Sequence, residues 1–151
     1  MRNASVHAAA DQGSAGAAAG FSPRLGKYSS SMTSVLIVDD EPLIRWSVGE
    51  SLAARGYNIV EAASAREAQT CLADRRDIGV VLLDLKLPDS TDLTLLRSLL
   101  RHPDPPRVIL MTAHGSVETL QEAMRAGAFR AVSKPFDLDA MADMVRDAVA
   151  V

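Results

Sequence analysis

The sequence predicts an α/β domain with one parallel, doubly wound five-stranded sheet over residues 34–150. Three observations predict it. Short apolar runs alternate five times with segments of helical periodicity from residue 34 onward. The run Val80-Val81-Leu82-Leu83 is apolar throughout, as a central parallel strand covered on both faces should be. About 118 residues is an ordinary size for one such domain, with right-handed crossovers placing helices on both faces.

The elements follow in order. Ser34–Val38 reads as a buried strand. Pro42 suits the first turn of a helix, Ile44, Val48 and Leu52 recur every four residues, and Arg55-Gly56 supplies the stop. Tyr57–Glu61 is the second strand. Ser64 is the N-cap of a helix that turns Ala68, Cys71 and Leu72 inward. Gly79–Leu83 is the third strand. A third helix runs from about Asp92 to Arg101, with Leu95, Leu96, Leu99 and Leu100 on one side. Arg107–Met111 is the fourth strand. Ser116 caps a helix with Leu120, Ala123 and Met124 inward, which ends at Gly127. Phe129–Ser133 is a short fifth strand. Asp137 begins the last helix, with Leu138, Met141, Met144 or Val145, and Ala148 on its apolar side.

Composition narrows the classes. A hydrophobic fraction of 48% and a charged fraction of 23% suit a folded, soluble domain. The single cysteine, Cys71, excludes an internal disulfide and fits a cytoplasmic setting. No apolar run approaches the roughly 18 residues that span a bilayer. The net charge of −3 divides into +2 for residues 1–33 and −5 for the rest, which gives no support for direct nucleic-acid binding. Residues 1–33 are rich in Ala, Gly and Ser without lasting periodicity and are expected to be a disordered tail. Asp11, Gln12 and glycines break their alanine runs, so they make no secretory signal. Met32 is also a candidate start of translation, and a late start and a flexible tail both fit.

In open sheets of this kind, chemistry gathers beyond the carboxyl ends of the strands, where strand order reverses. Those ends read Asp39-Asp40-Glu41, Asp84, Thr112-Ala113 and Lys134-Pro135. Each has a plain structural reading alone: an Asp pair caps turns, a β-branched Thr suits a sheet, a Lys is usually solvated. Asp84 is the least plain, because a charge directly after an apolar strand is costly unless paired. Together they bring carboxylates, a hydroxyl and an ammonium to one edge. Clustered carboxylates call for a cation, and oxygen ligands suit Mg²⁺. A carboxylate can also attack phosphorus to give an aspartyl phosphate. The new phosphoryl oxygens then need metal, ammonium, hydroxyl and N–H donors.

Val35-Leu36-Ile37-Val38-Asp39-Asp40-Glu41, Leu82-Leu83-Asp84-Leu85-Lys86-Leu87-Pro88, Met111-Thr112-Ala113 and Lys134-Pro135-Phe136 resemble the receiver domains of two-component response regulators, over about residues 34–150. The resemblance implies a flavodoxin-like (βα)5 sheet with strand order 2-1-3-4-5. It implies that Asp84 is the phosphoacceptor and that Asp40 ligates Mg²⁺ directly, with Asp39 acting mainly through water. The Lys86 backbone carbonyl would be a third protein ligand. Lys134 would pair with phosphoryl oxygens, as would Thr112 and the Ala113 N–H, and the Lys134-Pro135 bond would be cis. The donor would be a phosphohistidine on a sensor histidine kinase or a histidine phosphotransfer protein, and the acceptor would act on an output domain or protein. A phosphorylation-dependent homodimer is compatible with such a domain; nucleic acid and membrane are not expected partners.

Pro42-Leu43-Ile44-Arg45-Trp46-Ser47, Leu87–Leu93 and Met111–Gly115 are similar to the receivers of NtrC-like AAA+ activators of σ54-dependent transcription. The chain ends at Val151, at the close of the fifth helix, so a stand-alone receiver and a piece of a longer regulator are both open. Two positions depart from the family. Thr91-Asp92 replaces a common Asp-Gly, and Ala131 stands three before the lysine where an aromatic residue is usual. Phe129 is expected to pack rather than to replace that aromatic. Trp46 lies off the apolar stripe of its helix, and His114 lies in the loop after Thr112.

Two enzyme-like alternatives fit less well. A Mg²⁺-dependent phosphatase with an aspartyl nucleophile usually carries an acid two residues on, where this chain has Lys86. A flavin binder needs a phosphate-cradling loop after the first strand, where Asp39-Asp40-Glu41 would repel phosphate.

Overall fold

The computed structural model describes residues 33–113 and 116–151. The expectation for the tail, Thr33 apart, and the placement of His114 lie outside the described residues. Ten elements alternate: β1 (Ser34–Val38), α1 (Pro42–Ala53), β2 (Asn58–Ala62), α2 (Ala65–Asp74), β3 (Ile78–Asp84), α3 (Thr94–Leu100), β4 (Arg107–Thr112), α4 (Val117–Ala126), β5 (Arg130–Ser133) and α5 (Leu138–Ala150). All neighbouring strands pair in parallel, in the order β2-β1-β3-β4-β5. The doubly wound reading and its strand order are therefore borne out.

Side-chain alternation along each strand builds two core layers. Leu36 and Val38 of β1, Val81 and Leu83 of β3, and Val108 and Leu110 of β4 face α2, α3 and α4. Val35, Ile37, Val80, Leu82, Ile109 and Met111 face α1 and α5, where Val48, Leu52, Met141, Ala142 and Val145 meet them. Each fully buried Leu, Ile or Val contributes roughly 1.5–3 kcal/mol. The continuous apolar runs of β1 and β3 reflect burial on both faces rather than on one.

Helix ends follow the sequence signals. Pro42 sits in the first turn of α1, and Ser64 Oγ accepts the Glu67 N–H at 3.1 Å to cap α2. Ser116 Oγ accepts the Thr119 N–H at 3.0 Å to cap α4. Gly127 closes α4 at φ +120°, where a Cβ would also stand 3.1 Å from Leu100 Cδ1. Helix α3 is shorter than expected, and the Asp92 carboxylate accepts the Thr94 N–H at 2.9 Å just before it. The departure at the usual Asp-Gly pair thus gives the chain a helix-starting acceptor.

Two inward assignments differ. Met124 and Leu138 are exposed, because α4 and α5 turn Ala123 and the Met141–Val145–Ala148 stripe to the sheet instead. Val145, not Met144, is the buried residue of its pair. Trp46 is 55% exposed, and Phe129 packs on the α1–α5 layer with Arg130 over its ring at 4.4 Å.

Candidate functional site

Sheet register brings the acidic residues together. Val38 of β1 pairs with Leu83 of β3, so the residues that follow, Asp39 just beyond β1 and Asp84 at the end of β3, come at the same edge of adjacent strands. This is the point of the sheet where the chain has gone outward to β2 and returns to start β3. Asp39, Asp40 and Asp84 each offer a carboxylate oxygen within 4.8 Å of the others. On the other side Thr112 of β4 pairs with Ser133 of β5, and the Lys134 N–H donates to the Thr112 carbonyl at 2.9 Å. The following Lys134-Pro135 peptide is cis, as the resemblance implies.

Lys134 reaches across the edge. Its Nζ donates to Asp39 Oδ2 at 2.7 Å, Asp84 Oδ2 at 3.1 Å and Glu41 Oε1 at 3.2 Å. Glu41 is the N-cap position of α1 but makes no side-chain cap, because its carboxylate turns to the lysine. Glu41 was legible as the third acid after β1, and its bond to Lys134 is a contact sequence reasoning missed. Burial opposes the ammonium, yet the hydrogen bonds and charges of Asp39 and Asp84 outweigh it and hold Lys134 above the usual lysine range. Burial pushes the Asp39 carboxyl up, against the opposing hydrogen bonds from Lys134 and the Glu41 amide, and the charge of Asp84 adds to the rise.

Backbone donors fix the two buried carboxylates. Asp39 Oδ1 accepts the Glu41 N–H at 2.9 Å, and Asp84 Oδ1 accepts the Lys86 N–H at 3.0 Å. Arg45 Nη1 donates to the Asp39 carbonyl at 2.6 Å while its Nε pairs with Glu61 at 3.1 Å, tying β1, α1 and β2. A cleft of about 700 Å³ opens above the strand ends, lined by Asp40, Asp84, Lys86, Thr112, Ala113, Thr119 and Lys134 among others. Every site residue expected from the sequence therefore lies at this edge: Asp40, Asp84, Lys86, Thr112, Ala113 and Lys134 line the cleft, and Asp39 is fully buried beneath it.

The donor set fits a hard divalent cation. Oxygens held at about 2.0–2.1 Å from one Mg²⁺ stand roughly 3–4 Å apart, within the reach of these carboxylates. Two of the three are buried and one is exposed, so the cluster is both acidic and open to entry.

The model of the response regulator receiver domain family matches residues 35–146, and the chain belongs to that family. The regulatory protein AtoC of Escherichia coli (strain K12) is 39% identical over 115 residues, which are 76% of this chain and 25% of AtoC. Sporulation initiation phosphotransferase F of Bacillus subtilis (strain 168) is 35% identical over 112 residues, 74% of this chain and 90% of that protein. The chain thus spans about a quarter of the length of the first and nearly all of the second. The solved receiver domain of NtrX from Brucella abortus superposes with a TM-score of 0.71 at 31% identity, covering 78% of this chain and 98% of that one. No helix among the described residues is long and apolar enough to cross a membrane.

Proposed function

We propose that this receiver domain takes a phosphoryl group on Asp84 from a phosphohistidine of a sensor histidine kinase or histidine phosphotransfer protein. The observation that carries the reading is the buried Asp84 carboxylate, oriented by the Lys86 N–H and neutralised by Lys134 at the mouth of an acidic cleft. An Asp84 oxygen attacks phosphorus, the P–N bond breaks, and the imidazole nitrogen keeps the electron pair and takes a proton. Asp40, Asp84 and the Lys86 carbonyl, with Asp39 mainly through water, would hold Mg²⁺, which would supply charge neutralisation. Lys134 pairs with one phosphoryl oxygen, and Thr112 with the Ala113 N–H binds another. Lys134 already spans Asp39 and Asp84, so the ammonium is in place before the phosphoryl group arrives.

The protein works as a cytoplasmic switch on an output domain or partner rather than as an enzyme on a small substrate, with residues 34–150 as one unit. Mass spectrometry after acetyl phosphate and Mg²⁺ tests the assignment. One added phosphate is expected, absent in Asp84→Asn and in EDTA. A shift that survives Asp84→Asn, or forms fully in EDTA, removes Asp84 or the metal from the reading.

A further inference from the structure

The loop that follows Asp84 is pinned at its base by apolar contacts and closed on itself. Leu87 and Leu93 are buried in the layer shared with α2, α3 and α4. Leu87 and Ser90 exchange backbone hydrogen bonds at 2.9 and 3.3 Å, leaving Pro88 and Asp89 exposed at the tip. The tip is nevertheless tied down. Asp89 Oδ1 accepts the Ala65 N–H at 2.8 Å, and its Oδ2 accepts the Arg66 N–H at 3.1 Å.

Those are the first two amides of α2, which have no acceptor inside their own helix. Ser64 takes the Glu67 amide, so the start of α2 is shared between a local cap and a residue from the next crossover. The two backbone bonds also hold the Asp89 carboxyl below the usual carboxylate range.

This tether bears on the site through Lys86. The Lys86 N–H orients Asp84, and Lys86 and Leu87 line the cleft. The segment is thus anchored by β3 on one side and by Asp89 on α2 on the other. We propose that Asp89 is a positioning residue for the phosphorylation site, holding the 85–90 loop against α2 so that the Lys86 backbone meets Asp84 and a divalent cation in one arrangement. The proposal rests on the site reading above. Asp89 touches no reacting group and acts through the loop. Its removal leaves the first two amides of α2 to water, a modest cost to the fold, but it gives the loop conformations in which the Lys86 carbonyl is misplaced.

The test is Mg²⁺ titration of the full chain by calorimetry and amide NMR, for wild type, Asp89→Ala, Asp89→Asn and Asp84→Asn, with urea midpoints alongside. Removing groups that orient metal ligands commonly weakens binding about 10–100-fold. Asp89 acts through a loop, so Asp89→Ala should weaken Mg²⁺ about tenfold with only a modest fall in the urea midpoint. Labelling by acetyl phosphate should slow at low Mg²⁺ and recover at saturation. The Ala65 and Arg66 amides should respond to Mg²⁺ in wild type and stop responding in Asp89→Ala. Asp89→Asn, which keeps one acceptor oxygen, should fall between. Wild-type affinity in Asp89→Ala, with binding still lost in Asp84→Asn, would overturn the role of Asp89 and leave the site reading standing. Wild-type affinity in Asp84→Asn would overturn the site reading and the proposal with it.

Discussion

Replacing Lys134 with Met asks what holds the acidic edge together when no cation is bound. Met keeps most of the apolar stem and removes only the charge. Nζ lies 2.7 Å from Asp39 and 3.1 Å from Asp84, whose side chains are 0% and 7% exposed. At an effective dielectric of about 20, each attraction is worth about 5–6 kcal/mol before the ammonium's desolvation takes back several. Asp39 and Asp84 offer oxygens within 4.8 Å of each other, so their repulsion is at least about 3.5 kcal/mol on the same scale. Breaking a buried pair by removing one partner costs about 3–5 kcal/mol, and Lys134→Met should lose that much stability in EDTA. Mg²⁺ meets the same carboxylates and should bind Lys134→Met, which lacks the competing ammonium, more tightly than wild type, so the gap should narrow in Mg²⁺, because the stabilisation grows with affinity for the folded state. Adding Asp39→Asn to Lys134→Met should recover about 2 kcal/mol in EDTA by removing one of the repelling charges. Urea unfolding of the three proteins, with EDTA and with Mg²⁺, reads all of this. An equal gap in both buffers, with Asp39→Asn lowering stability further, would refute charge neutralisation and leave packing of the lysine stem as its contribution.

Other outcomes follow from the same structure. Leu43 is 72% exposed on α1 close to the site, and Leu43→Arg should block transfer from a sensor kinase while sparing labelling by acetyl phosphate; equal loss with both donors would mean misfolding. Leu96 is fully buried in a helix of only seven residues, so Leu96→Ala should cost about 2–5 kcal/mol in urea unfolding. Arg75 beside Asp77 holds that carboxyl below its ordinary value, with Ser34 assisting against burial. A depressed carboxyl stabilises the fold above its unfolded value near pH 4 and loses that contribution as pH falls through the folded value. Both side chains are more than a third exposed, so Asp77→Asn should lower stability by less than about 1 kcal/mol at pH 7, with the gap shrinking below about pH 4. A beryllofluoride mimic should shift amides of residues 112–127 more than those of β5, because Ala131 has no χ angle to rotate; shifts centred on Ala131 and α5 would contradict this.

The parallel sheet and the site were legible in the strands and their ends, whereas the strand order followed from the family resemblance. Apolar runs buried on both faces gave β1 and β3 unambiguous signals, and each placed its terminal Asp one residue beyond an aliphatic pair, Val38↔Leu83. The side-chain sorting of α4 and α5 was less legible. Leu120, Ala123 and Met124 share one helical stripe, but only small Ala123 is buried against the sheet, and periodicity does not distinguish the centre of a stripe from its margin. Long-range polar ties were invisible. Asp89 on α2 and Glu41 on Lys134 join residues whose spacing carries no pattern, because each bond depends on where two separate crossovers return to the sheet. Ser64 was legible as a cap, while the acceptor of the Ala65 N–H lies 24 residues beyond Ala65, at Asp89.

The bond between Lys134 and Asp39 closes a span of 95 residues, nearly the whole domain. During synthesis the acids of β1 and β3 emerge long before the lysine that neutralises them. A nascent or truncated chain lacking β5 would present bare carboxylates that repel both one another and an approaching phosphate. The lysine that joins the two acids therefore enters just after the last strand, so the site is complete only once nearly the whole domain has formed.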